Sequence, residues 1–209
     1  MELIWDDLTP NELKAAQYQA MQTFYWEKKD LPNYLLVAKA VLELLLEYAK
    51  KNVELRGEYA DVAIQTSYNI ASMTWAGWDE EGISLDEAQK LIGLQAAELN
   101  VRLATEFNLP PKRRQNGLWM LAAQQLAGNN PAAAKETFME QLSVIQNADL
   151  GMDATPKAWI AACNLIDGTG TIAEHDATLE QLASDEEGEQ QAGFLRTAMA
   201  IFLQDSKPA

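Results

Sequence analysis

The chain has 209 residues, 48% of them hydrophobic and 22% charged, so it is an ordinary globular sequence; disordered and collagen-like classes are excluded. Sixteen Lys and Arg against thirty-one Asp and Glu leave a net charge of −15, which repels a phosphate backbone or an anionic lipid surface, so neither nucleic acid nor membrane is expected as a partner. One cysteine, Cys163, and one histidine, His175, exclude an internal disulfide and any paired-histidine metal site.

The amino terminus, Met1-Glu2-Leu3-Ile4-Trp5, has no basic stretch leading into an apolar one, so no secretory signal is read there and the cytoplasm is the expected location. The most apolar window, Leu35 to Leu46, is too short to span a bilayer and carries Lys39 and Glu43.

Thirty-two alanines and twenty-seven leucines against six valines favour helix and disfavour strand, so the fold class is all-α. Hydroxyl and carboxylate three residues apart mark four capping boxes, at Thr9–Glu12, Ser84–Glu87, Thr171–Glu174 and Ser184–Glu187. Asn130-Pro131 and Thr155-Pro156 add starts with proline at the first helical position, while Gly77, Gly128, Gly168 and Asn108 with Pro110-Pro111 supply stops. Nine helices follow, over 10–28, 32–52, 57–76, 85–107, 111–127, 131–147, 156–167, 172–183 and 185–204. Short connections make neighbours antiparallel, so the expected architecture is a stack of αα-hairpins. It is read as one domain over 1–209, with a longer-helix part at 1–108, hairpins and a terminal helix at 109–204, and a tail at 205–209. In the second helix only Lys39, Glu43 and Glu47 interrupt the apolar run from Leu35 to Tyr48; a helix wetted along one strip lies between neighbours.

An internal repeat of forty residues pairs window 116–142 with 156–182 at seven positions: Trp119 with Trp159, Ala122 with Ala162, Gly128 with Gly168, Ala133 with Ala173, and Glu140-Gln141-Leu142 with Glu180-Gln181-Leu182. Leu118-Trp119-Met120-Leu121-Ala122, followed by Gly128-Asn129-Asn130, Ala134 and Phe138, resembles a tetratricopeptide-type repeat over residues 112–183. The period of forty exceeds the ~34 residues of that family and leaves HEAT-like spacing as the alternative. The resemblance implies a right-handed superhelix that scaffolds a protein or peptide along a groove lined by Asn116, Trp119 and Ala123 of one hairpin and Pro156, Trp159 and Cys163 of the next.

The remaining chemistry is sparse. Gly170-Thr171-Ile172 is like the centre of an EF-hand loop, but that register puts Leu165 at the first ligand position, so a glycine turn before a capping box is expected and no metal or cofactor. Cys163 and His175 on consecutive helices would be the one thiol-hydrolase arrangement available. Cys163 instead reads as a small core residue after Ala161-Ala162, and His175 as a surface residue in the first turn of its helix.

No Lys or Arg occurs between Lys157 and Arg196, where eight acids do; the stretch reads first as a solvated acidic surface and second as a field that steers a partner of basic character. Lys112-Arg113-Arg114 places cations at a helix start, against the dipole, which calls for a carboxylate from another chain or from Asp79-Glu80-Glu81, or for water. Among the six tryptophans, Trp75 and Trp78 straddle Gly77, and one of them is expected to be exposed as an anchor. The leading expectation is a non-enzymatic scaffold or adaptor contacting its partner through Asn116, Trp119, Ala123, Pro156, Trp159, Trp78, Arg113 and Arg114. The alternatives are a secretion or assembly chaperone, an obligate homo-oligomer, and a thiol hydrolase.

Overall fold

A computed structural model describes residues 8–184 and 186–205. Among these residues the chain is helical, without strands: α1 (Pro10–Ala20) continuing into a π-helical segment (Met21–Glu27), α2 (Leu31–Lys51), α3 (Arg56–Met73) and a 3-10 turn (Ala76–Trp78). Then follow α4 (Glu87–Glu106), α5 (Pro111–Ala127), α6 (Pro131–Asn147), α7 (Ala154–Ile166), α8 (Ile172–Leu182) and α9 (Glu186–Asp205). No helix of the described residues is long and apolar enough to cross a membrane.

The helix starts follow local chemistry. The Thr9 and Thr171 hydroxyls accept from the amides of Glu12 (3.3 Å) and Glu174 (3.2 Å), whose carboxylates accept in return from the threonine amides. The third box forms two residues later than the sequence suggests: Asp86, with a carboxylate in place of a hydroxyl, takes the N-cap of α4 and pairs with Gln89 (2.8 and 2.9 Å). The fourth expected box, Ser184–Glu187, includes Asp185, which lies outside the described residues. Asn130 caps α6 as expected, accepting from the Ala133 amide. In contrast, α7 begins at Ala154, ahead of Thr155, because Pro156 is tolerated anywhere in a first turn whose amides have no intrahelical acceptor.

Each helix packs on its successor, and α1–α3, α3–α5 and α7–α9 also touch. The helix α2 is wetted as its pattern implies, with Tyr34, Ala38 and Leu45 fully buried and Lys39, Glu43 and Glu47 exposed. One apolar cluster gathers α1 to α4; a second gathers Trp75 with α5, α6, α7 and α9, and Trp119 packs against both.

The turn after α3 organises the second cluster. The helix ends where the Thr74 hydroxyl donates back to the carbonyls of Ile70 (2.7 Å) and Ala71 (3.1 Å). This sends the Trp75 indole, 2% exposed, between later helices, where it meets Trp78 (4.8 Å between centroids), Trp119 (5.5 Å), Trp159 (6.1 Å) and Phe202 (6.4 Å). Its Nε1–H donates to the Ala123 carbonyl at 2.9 Å. Gly77 does not stop a helix: a Cβ there would overlap the Trp75 ring, so the residue is small because the indole folds over it. Onto this turn, which follows α3, α9 packs back. An open stack, in which each unit meets only its neighbours, has no such contact.

Buried carboxamides tie α4 and α5 to α3. Asn100 Nδ2 donates to the Ile64 carbonyl (2.7 Å), and Gln124 Nε2 to the Ala71 carbonyl (2.6 Å). Gly93 faces Thr74 and Gln124 so closely that any side chain would collide with both. Burying an indole contributes about 4–6 kcal/mol at ~25 cal/mol/Å² over the ~150–250 Å² it covers, an upper bound. Trp75→Ala is accordingly expected to cost about 3–5 kcal/mol in urea unfolding with the slope unchanged. Leu36→Ala, at a side chain 69% exposed, should stay within about 0.5 kcal/mol. Equal effects of the two would refute the role given to Trp75.

Candidate functional site

The expected groove along α5 and α7 is occupied by the chain itself. Ala123, Pro156, Trp159 and Cys163 are buried, and the Trp75 indole lies against Trp119 and Trp159 and bonds to Ala123. These four residues therefore face the protein interior. The two tryptophans at equivalent positions of the repeat do come together, edge to face at 6.0 Å, and Phe138 stacks on Trp159 at 5.5 Å.

Beside this plug a cleft of about 350 Å³ opens between α5, α6, α9 and the turn at Trp78, closed at its ends by the segments before α7 and after α8. Its volume lies within the range of small-ligand and side-chain pockets. Of the sequence-selected residues, Asn116, Trp119 and Trp78 line it. Asn116 is exposed, whereas Trp78 and Trp119 are half-buried. Trp78 is held by its Nε1–H donating to the Ser72 carbonyl (2.9 Å) and by Phe194, whose ring meets it edge-on at 5.4 Å. So Trp75 is the core anchor of the pair, and Trp78 the one that reaches a surface.

Arg113 and Arg114 are not in the cleft. Arg113 pairs with Asp61 of α3, an intramolecular acid different from the Asp79-Glu80-Glu81 loop, because α5 lies along α3 and brings the two side chains together. Glu80 is taken by Lys29. Arg114 is half-buried at the start of α5.

Sequence reasoning missed the polar floor of the cleft. Gln141 of α6 is 2% exposed, and its Nε2 donates to Gln115 Oε1 at 2.8 Å, while Gln115 in turn donates to Asn116 Oδ1. Gln141 Oε1 and Trp119 Nε1 are buried without a hydrogen-bond partner. Each such group costs about 1–3 kcal/mol when desolvated. One is an acceptor and the other a donor, and both belong to residues that line the cleft. A signal for this existed: Gln141 and Gln181 are matched positions of the forty-residue repeat, and both line the cleft. The cleft's remaining walls are Tyr68, Ile145, Met152, Leu182 and Phe194, with Glu187 of α9 as its carboxylate. Burial pushes the Tyr68 hydroxyl above the ordinary tyrosine range.

Cys163 and His175 do not have the properties a thiolate–imidazole pair needs. Burial, and secondarily the Asp167 carboxylate, push the Cys163 thiol up to about 12, which keeps the sulfur protonated. His175 is buried, not exposed as its place in a first turn implies, because α8 turns that face inward; its Nδ1 lies 3.3 Å from Asp176 Oδ1. The Asp167–Gly170 segment is a turn in which the Asp167 carboxylate accepts from the Thr169 amide (2.9 Å), and the described residues hold no cluster of three or more potential metal ligands.

Comparison with known proteins returns no matching family model, no matching curated protein and no matching solved structure.

The raised thiol gives a pH prediction. A group with a folded pKa above its unfolded one stabilises fully below the unfolded value and loses that stabilisation as pH rises toward the folded one. For Cys163 the window runs from its ordinary 9.0 to about 12, and Tyr25, raised from 10.0 to about 12 by burial, adds to it from pH 10. Urea-unfolding stability should fall above pH 9, and Cys163→Ala should flatten the curve between pH 9 and 10, before tyrosine contributes. Native Cys163 should react with iodoacetamide more slowly than a free thiol at pH 8; faster reaction would restore the nucleophile reading.

Proposed function

We propose that the protein is a non-enzymatic scaffold of stacked αα-hairpins, of the tetratricopeptide-like kind, which holds a protein or peptide partner in the cleft between α5, α6 and α9. The contacts between alternate helices, and the meeting of Trp119 with Trp159, support the stacked-hairpin reading. The folding-back of α9 moves the binding place off the odd-helix groove and into the neighbouring cleft.

The observation that carries the reading is that Gln141 Oε1 and Trp119 Nε1, an acceptor and a donor, are both buried without partners in residues lining a cavity with aromatic walls. A backbone amide supplies both complements: its carbonyl accepts from an indole N–H, and its N–H donates to a carboxamide oxygen. Aromatic rings around a recessed polar pair form the kind of anchor pocket in which interface energy concentrates. Contrast within the same molecule supports this, since Asn100 and Gln124, equally buried carboxamides outside the cleft, have their hydrogen bonds made.

Panning a phage-displayed library of unconstrained peptides against the full chain tests the reading. Selected peptides should bind the wild type and lose about five- to tenfold in affinity to Trp119→Phe, the equivalent of one hydrogen bond of about 1–1.4 kcal/mol. The same substitution should change unfolding free energy by less than about 1 kcal/mol, because the packing lost is offset by removing an unpartnered donor. Selected peptides whose affinity is indifferent to Trp119→Phe and to Gln141→Met would place the binding surface elsewhere and end this reading.

A further inference from the structure

The cleft has a charge and a shape that narrow its occupant, and this inference rests on the scaffold reading above. Its walls bring together the rings of Trp78, Trp119 and Phe194, with Trp78 at 6.1 Å from Trp119 and 5.4 Å from Phe194. Ring faces carry negative quadrupole potential and attract a cation, arginine most often, within about 6 Å of the centroid. Among the lining side chains Glu187 brings a carboxylate and none brings a cation. The cation nearest to it in sequence, Arg196, is engaged by Glu189 at 2.7 Å. The surrounding stretch from 158 to 195 contains no Lys or Arg, within a chain of net charge −15, so the field at the mouth is negative.

We infer that the cleft takes an arginine side chain of a partner peptide. The guanidinium lies among Trp78, Trp119 and Phe194 and donates to Gln141 Oε1 and Glu187, while the peptide's own carbonyl accepts from Trp119 Nε1. Both orphaned groups are closed off from solvent, so seating the peptide turns the Gln141 carboxamide and the Trp119 indole edge toward the cleft: guanidinium offers donors only, which suits the carboxamide oxygen, and the indole N–H needs the acceptor that the peptide backbone brings. Arginine fits better than lysine because a planar guanidinium stacks on rings and spreads its donors over two acceptors, and it sheds hydration more readily than an ammonium. The cleft of about 350 Å³ has room for one such side chain and its adjoining peptide unit, not for a folded domain. The wider partner therefore lies across the mouth and sends one residue in.

The test uses the full chain labelled with ¹⁵N and follows the indole N–H signals, that of Trp119 being assigned by its loss in Trp119→Phe. Three probes are titrated: acetyl-Gly-Arg-Gly-amide and the same tripeptide with citrulline or leucine at the centre. Citrulline keeps the shape and most donors of arginine but removes the charge. The arginine peptide is expected to shift the Trp119 signal saturably and to bind about tenfold more tightly than the citrulline peptide. Glu187→Gln should weaken it about threefold, and raising the salt concentration should weaken the arginine peptide only. Equal binding of arginine and citrulline, or of arginine and leucine, overturns the inference, as does binding that leaves the Trp119 signal in place. In those cases the scaffold reading stands if library-selected peptides still shift Trp119, and falls with the inference if they do not.

Discussion

The structure of the C-terminal half depends on one side chain from the N-terminal half. Trp75 leaves the end of α3 and enters the space between α5, α7 and α9, where four aromatic rings and the Ala123 carbonyl receive it. Its surroundings are arranged to permit this. Thr74 closes α3 by bonding backwards, Gly77 leaves room for the ring, and Gly93 lets α4 approach Thr74. Indole burial supplies several kcal/mol in a molecule whose net stability is of the order of 5–15 kcal/mol, so the turn from Thr74 to Trp78 acts as a clamp joining two apolar clusters. Stacked hairpins held only by nearest neighbours could slide or fray from one end; here the last helix is tied to the third.

The clamp also creates the cleft. With Trp75 filling the surface between α5 and α7, Trp78 is carried outward by the same turn and stands against Phe194 of α9. The cavity next to it is roofed by aromatics and floored by carboxamides. Two other buried carboxamides, Asn100 on Ile64 and Gln124 on Ala71, have their hydrogen bonds made and serve to join helices. Gln141 Oε1 and Trp119 Nε1 differ from these in having no partner.

Charge divides along the same line. Ahead of that division several cations are engaged within the molecule: Lys29 by Glu80, Arg56 by Glu106 at 2.9 Å, and Arg113 by Asp61. These pairs are partly exposed and contribute little to stability; those of Arg56 and Arg113 join α3 to α4 and α5. The stretch between Lys157 and Arg196 has acids without cations. It borders the cleft through α8 and α9, so the electrostatic asymmetry of the chain is concentrated beside its cavity.

Local chemistry, read from the sequence alone, determined the helices. The composition set the class, the caps at Thr9, Asn130 and Thr171 placed starts, and the strip Lys39–Glu43–Glu47 told which face of α2 is wet, because all of these act within a turn or two of backbone. The repeat likewise brought Trp119 and Trp159 into relation, and three of the residues selected from the sequence, Asn116, Trp119 and Trp78, line the cleft. What only the tertiary structure decided was which side of the stack is open. Trp75 and Trp78 are two indoles on either side of a glycine, and nothing local distinguishes the one that plugs α5 and α7 from the one that lines a cavity. That choice belongs to contacts between residues 75, 123 and 202, far apart in the chain. The same holds for Arg113, whose acid lies on α3, for His175, turned inward by the packing of α8, and for Gln141, whose meaning comes from the partner it lacks. Periodicity reports how a helix divides into faces; it does not report which distant element covers each face, since that depends on the sum of contacts across the whole fold.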